Sequence, residues 1–258
     1  MGIINLSPDS FSGDGLGGDV EAALEKALRF IRDGADIIDI GGESTRPGTE
    51  PLSIEEVDRE LELVIPVIER LRKEVEVPIS IDTYKSKVAI EALKSGAVMI
   101  NDVWGLKKDP KLAEVAASFG VPIILTSNQR DGEVSDIIPE VISSLKRSLS
   151  LALEAGVPLE KTIIDPGIGF GKTLEQNLEI MRRLGELKSL GRPILIGTSR
   201  KSMIGLVLDL HPEERLEGTA ATVALGIAGG ADIVRVHDVK EMVRVCRMSD
   251  AIVRGFKK

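Results

Sequence analysis

Apolar residues fall into two rhythms that alternate along the chain. Short runs rich in Ile and Val recur as "GIIN", "ADIIDI", "VPISID", "AVMIND", "VPIILT", "KTIIDP", "RPILIG" and "ADIVRVHD". They are apolar nearly throughout, the pattern of strands in a parallel sheet covered on both faces. The stretches between them carry helical spacing. Ile54, Val57, Leu61, Val64, Ile65, Ile68 and Leu71 lie on one face of a predicted helix. Ser53 and Glu56 have the spacing of a capping box at its start, and Pro66 inside it predicts a kink. A second box, Thr173 to Gln176, predicts another helix start, and residues 134–155, with Leu145, Leu149, Leu151 and Leu153, predict a further helix.

Eight such strands alternating with eight helical segments predict an α/β fold of the (β/α)8 TIM-barrel type, a single domain over residues 1–258 with no linker or composition break. An open, doubly wound sheet is the rival. It usually carries a glycine-rich phosphate loop after its first strand, and "SPDSFSGDG" lacks that spacing. "GIGFGK" resembles a phosphate loop only superficially, since it follows the sixth strand without the Walker spacing.

Composition narrows the function classes. Hydrophobic residues make up 43% and charged residues 29% of the 258, a globular profile. A net charge of −8, from 33 basic and 41 acidic side chains, argues against nucleic acid or an anionic membrane as the main partner. Anion binding would need a local cationic cluster. The lone Cys246 excludes an internal disulfide, and two histidines make a zinc cage improbable. With no apolar run of bilayer length and no signal peptide in the sequence, a cytoplasmic location is expected.

Polar residues end most of the strands: Asn5, Asp39, Asp82, Asn101, Asp165, then Lys201 past the seventh, and Arg235 with His237 on the eighth. In a barrel these ends converge on one rim, where active sites are built. "ISID", "MIND" and "TIID" each set an amide or carboxylate at the edge of a dry core, where it needs a hydrogen-bonding partner. Asp82, Asn101 and Asp165 together suit a planar heterocycle with adjacent N–H donors of guanidine type. Lys201 adds a donor. Arg235 can stack on a ring or grip an anion, and with His237, Thr45 and Arg46 it makes the local cationic cluster. A helix starting near Ser199 would give "GTSRKS" a further anion site, completed by the Ser202 hydroxyl.

The motifs "NLSPDSFS", "DIIDIGGESTRPG", "SIDTYK", "INDVWGL", "DPGIGFGK", "GTSRKSMIG" and "RVHDV" occur in one order over nearly the whole chain. In that order they resemble the dihydropteroate synthases, pterin-binding transferases of folate biosynthesis and targets of sulfonamides. The resemblance implies condensation of 6-hydroxymethyl-7,8-dihydropterin diphosphate with para-aminobenzoate, releasing pyrophosphate, in a cytoplasmic homodimer that uses Mg²⁺. It implies a catalytic set of Asn5, Asp82, Lys201, Arg235 and His237. The pterin falls to Asp82, Asn101, Asp165, Phe170, Gly197, Lys201 and Arg235. The diphosphate falls to Asn5, Thr45, Arg46, Arg235 and His237, with Asn5 as the Mg²⁺ ligand. Para-aminobenzoate falls to Phe11, Pro47, Arg200 and Ser202. "NLSPDSFSGDG" and the stretch around Arg46 match the family's two mobile loops, which close over substrate.

Three departures stand out, one being that almost no residues precede the first strand where the family usually has more, so weaker closure of the barrel bottom is expected. The family commonly carries Met-His after its fifth strand, and this chain has Thr126-Ser127, so a smaller and more polar contact to the pterin is expected there. Ser7 takes the place of the usual Thr before Pro8. The alternatives are a pterin-binding homologue that does not condense its substrates, a folate-dependent methyltransferase-type pterin domain, and a sugar-phosphate barrel. The anion set argues against the first. "SRK" and "RVHD" argue against the second, and carboxylates better suited to ring recognition argue against the third.

Overall fold

The computed structural model describes residues 1–7, 15–43, 57–130 and 136–256. Parallel strands β1 (Gly2–Asn5), β2 (Ile38–Gly41), β3 (Ile79–Asp82), β4 (Met99–Asp102), β5 (Ile123–Thr126) and β6 (Thr162–Asp165) pair in sequence order. Strands β7 (Leu195–Ile196) and β8 (Ile233–Val234) form a second parallel pair. Bridges Ile164–Ile194 and Gly2–Val236 join the pairs on both sides, and the Ile3 N–H donates to the Val236 carbonyl at 3.0 Å. Eight strands therefore surround one axis, as the alternating rhythm predicts.

Helices α1 (Val20–Arg32), α2 (Val57–Leu71), α3 (Ser86–Ser95), α4 (Lys111–Phe119), α5 (Ile137–Glu154) and α6 (Leu174–Arg182) follow the first six strands in turn. Between β7 and β8 lie two helices, α7 (Ser202–Leu208) and α8 (Leu216–Gly229), and α9 (Val239–Val253) closes the series. The described residues thus hold nine α-helices where the sequence pattern predicts eight. The Asp19 side chain caps α1 by accepting from the Ala22 N–H at 3.0 Å. Thr173 and Gln176 form the expected capping box of α6. The Ser53–Glu56 box lies outside the described residues. Helix α2 continues through Pro66 to Leu71. None of the helices among the described residues is long and apolar enough to cross a membrane.

Strand side chains alternate between two surroundings. Ile38, Ile40, Ile81, Ile123, Leu125 and Ile164 face the helices in one large core. Each fully buried side chain of this kind contributes about 1.5–3 kcal/mol, so the outward row can carry the fold. The inward row begins with a separate apolar plug of Met1, Met99, Ile124, Ile163 and Leu195, packed with Ile37 and Ile233. Two residues further along the strands the same face carries Asp39, Asn101, Thr126, Asp165, Gly197 and Arg235. This polar layer rests on the plug and is the floor of the barrel mouth.

Candidate active site in the barrel mouth

Arg235, just past β8, organises the layer. Its Nε donates to Asp39 Oδ2 at 2.6 Å and its Nη2 donates to Asp82 Oδ2 at 2.6 Å. Asn101 Nδ2 donates to the same Asp39 oxygen at 3.1 Å. Asp39, Asp82, Asn101 and Arg235, from four strands, are thus brought together by direct hydrogen bonds. Asp39 is the residue that the candidate sets omit. It is fully buried, joins Arg235 to Asn101, and its Oδ1 has no partner among the described residues. Sequence puts it in the row of polar residues, but only the fold reveals its two partners, 62 and 196 positions away.

Charge is tightly held here. Burial pushes the Asp82 carboxyl up to about 7, with Asp39 adding to the rise and Arg235 opposing it. Burial would lower the Arg235 pKa, but Asp39 and Asp82 outweigh it and hold the group above its usual value. Asp165, at the end of β6, is raised by burial, while the Gly167 N–H, 2.7 Å from its Oδ1, and Lys201 work the other way. Burial beside Arg235 lowers Lys201 to about 8.

A second group forms the wall. Phe170 is buried with Tyr84, Val103 and Trp104. The Lys201 ammonium lies 4.4 Å from its ring centre and the Arg130 guanidinium 4.9 Å. Lys172 secures this wall from behind, donating to the carbonyls of Ser127 at 2.6 Å and Gly167 at 2.9 Å. The loop is closed so tightly that Gly167 has φ +72°, and a Cβ there would strike the Ser127 carbonyl. Arg130 and Lys172 also lie outside the candidate sets. "GFGK" was the available signal for Lys172; Arg130 left none.

The loop after β7 departs from expectation. The helix starts at Ser202, not near Ser199, because Arg200 adopts φ +58° and Lys201 is the N-cap residue. Ser202 is exposed at that start. Arg200 lies away from the polar layer in an ion pair with Asp238, Nε to Oδ2 at 3.0 Å and Nη2 to Oδ1 at 2.5 Å. Ser199 instead orients His237: its Oγ accepts from the His237 backbone N–H at 3.2 Å and lies 2.9 Å from ring Nδ1. A hydroxyl that accepts from the amide can donate to Nδ1, leaving the proton of a neutral ring on Nε2. Gly197 borders open space: beyond its chain neighbours, no described atom lies within 4 Å of where its Cβ would stand.

Asn5 ends β1, half-buried, its carbonyl accepting from the Leu16 N–H at 3.0 Å. Phe11, Thr45, Arg46 and Pro47 lie outside the described residues. The chain enters that second unassigned stretch from an ionic anchor: Lys85 Nζ donates to Glu43 at 2.5 Å and to the fully buried Glu60 at 2.6 Å. Burial raises the Glu60 pKa and Lys85 opposes the rise. His211 is exposed, ahead of a short 3-10 turn at Pro212–Glu214, and Cys246 packs half-buried on α9.

The same sequence matches the pterin binding enzyme family over residues 1–237. It is 55% identical to the dihydropteroate synthase of Bacillus subtilis, over 98% of this chain and 88% of that one. It is 52% identical to that of Clostridium beijerinckii, over 98% and 94%. Among solved structures, the dihydropteroate synthase of Clostridium difficile determined in the presence of pteroic acid superposes with a TM-score of 0.92, at 52% identity over 98% and 96% of the two chains. The Yersinia pestis enzyme in complex with a sulfonamide gives a TM-score of 0.93, at 37% identity over 99% and 94%.

Proposed function

The chain belongs to the pterin-binding enzymes, among the dihydropteroate synthases that join a dihydropterin to para-aminobenzoate, and from that premise we propose how its own residues do so. The observation that carries the proposal is the polar layer itself: three carboxylates, an amide and two cations at strand ends, over an apolar plug, with an open side at Gly197.

Asp165 accepts from the ring N–H and exocyclic amine, Asn101 and Asp82 take the remaining polar edge, and Lys201 donates to a carbonyl or ring nitrogen. Phe170 and Arg235 bound the ring's faces. The ring nitrogens can carry the positive charge left on the exocyclic methylene when diphosphate departs, so no protein nucleophile is needed. Arg235 and His237 Nε2–H stabilise the departing anion, and the aniline nitrogen of para-aminobenzoate attacks the methylene and loses a proton. Holding the partners in line and neutralising the leaving charge account for the rate.

Mg²⁺ fits this arrangement through the chemistry of the donors. Asn5 offers one hard amide oxygen, and Mg²⁺ is typically bound by few protein groups, with waters and substrate phosphate completing its shell. When bound, the ion supplies further neutralisation of the diphosphate. From the family's motifs, Phe11 and Pro47, with Ser202 at the α7 start, are assigned to para-aminobenzoate, where a sulfonamide would compete, and Thr45 and Arg46 to the diphosphate. Arg200 serves that site by fixing the loop through Asp238. A dihydropterin diphosphate is too highly charged to cross a bilayer unaided, which supports a cytoplasmic location.

The test is coupled detection of pyrophosphate and dihydropteroate from purified protein with both substrates and Mg²⁺. Asp82 must be ionised to accept from the ring, and Lys201 must be protonated to donate. The rate constant kcat/KM for the pterin should therefore rise through about 7 and fall above about 8. Asp82→Asn should remove the rising limb. Absence of product from folded protein at millimolar substrate would favour a pterin-binding protein without condensation.

Leu206 and Val207 on α7, Leu225 on α8, and Met248 and Ile252 on α9 are each more than half exposed. Neighbouring apolar side chains of this size on packed helices suit a second copy of the chain. Sedimentation should give a homodimer, and Leu225→Glu with Leu206→Glu should give monomers; an unchanged mass would exclude this face.

A further inference from the structure

The Thr126 hydroxyl is buried, with the residue 1% exposed, and Oγ1 has no hydrogen-bond partner among the described residues. A buried hydroxyl left without a partner destabilises the folded state, so its retention needs a reason. Its place in the layer supplies one. Ile124, two residues earlier on β5, packs in the inward plug, so Thr126 faces the barrel interior one layer above it. Strand β5 lies between β4 and β6, and Thr126 is the register partner of Asp165. Neighbouring strands lie about 4.7–4.9 Å apart. Thr126 therefore stands beside Asp165, on the side towards β4, whose Asn101 is the register partner of Ile124. Ser127, the second residue of this departure, turns the other way: its hydroxyl accepts from Gln129 Nε2 at 3.2 Å, and its carbonyl is held by Lys172.

We propose that Thr126 is a specificity-determining residue for the pterin, accepting a hydrogen bond from the second N–H of the ring's exocyclic amine. The inference rests on the pterin reading of the pocket. In that reading Asp165 takes the ring N–H and one amine N–H, and the other amine proton points away from Asp165 along the same edge. Asn101, oriented by the bond its Nδ2 donates to Asp39, turns its remaining oxygen to the rest of the polar edge in that reading. Thr126, the register partner of Asp165, carries an unused acceptor on that side. A thioether in its place would offer area but no strong acceptor. The chain thus exchanges packing against the ring for a polar reading of one substituent, and the cost of the unpaired hydroxyl falls on the ligand-free protein alone.

The experiment is calorimetry with two probes, 6-hydroxymethylpterin and the same ring with hydrogen in place of the 2-amino group. Thr126→Val removes the hydroxyl and keeps the shape. It should weaken binding of the amino ring about five- to tenfold, the worth of one net hydrogen bond. It should leave binding of the deaminated ring unchanged and the ligand-free melting temperature unchanged or higher. Thr126→Ser should bind as the parent does, and Thr126→Ala is the second hydroxyl-free variant should Val not fold. Equal affinity of parent and Val variant for the amino ring, while Asp165→Asn still loses it, overturns the inference and leaves the pocket reading intact. A loss of equal size on both rings also overturns it. Failure of the parent protein itself to bind 6-hydroxymethylpterin would overturn the pocket reading beneath it.

Discussion

Asp165→Asn is expected to lower pterin affinity at least about a hundredfold while leaving the protein as stable as before, or more so. The Gly167 N–H, 2.7 Å from Oδ1, decides how the new amide sits. An asparagine oxygen keeps that bond, so its NH2 group is directed at the ring, where the ligand also presents N–H donors. Each hydrogen bond to a charged group is worth about 1.5–3 kcal/mol, and two are lost. Stability moves the other way. Burial raises the Asp165 pKa, so near neutral pH the ionised carboxylate is a burden on the folded state that the unfolded chain does not carry. A neutral amide removes the burden. Calorimetry with a pterin and a thermal melt on the same sample check both halves, and parental affinity in the variant would remove Asp165 from the site.

Arg235→Met is expected to damage both stability and turnover, and for separable reasons. The guanidinium is the shared partner of Asp39 and Asp82, one buried and the other nearly so. Removing one member of a buried ionic group costs about 3–5 kcal/mol because the remaining charge is stranded. Against a typical total of about 5–15 kcal/mol, the variant should melt well below the parent. Losing a group aimed at developing charge should also lower kcat by about 10²–10³. Adding Asp39→Asn removes one of the stranded carboxylates and should restore much of the stability. Activity should stay low, because the cation over the leaving diphosphate is still missing. Turnover within tenfold of the parent in Arg235→Met would place the catalytic cation elsewhere.

How far the sequence speaks depends on the range of the interaction. The barrel is legible because each strand announces itself within four to eight residues, and the alternation of rhythms needs no long-range knowledge. Asp82, Asn101, Asp165 and Arg235 are legible for the same reason, since each ends an apolar run. The role of Asp39 is not, because it depends on Arg235, 196 positions away. Arg200 stands next to Lys201 in "SRK" and reads as part of the same site. A left-handed backbone at Arg200 separates them, sending one side chain to Asp238 and the other to Phe170. The same turn delays α7 to Ser202, which composition alone does not reveal. Thr126 reads as a departure from a motif. That its hydroxyl is buried without a partner follows only from register and packing.

The bridge between Gly2 and Val236 has a consequence for how the chain is made. Strand β1 finds its β2 neighbour almost at once, but its other edge must wait for more than two hundred further residues. At about 5–20 residues per second of synthesis, the wait is on the order of 10–50 s. Throughout that interval an apolar strand edge is open to pairing with a neighbouring nascent chain. Anything that slows translation before the last strand lengthens the period in which this enzyme can aggregate on the ribosome.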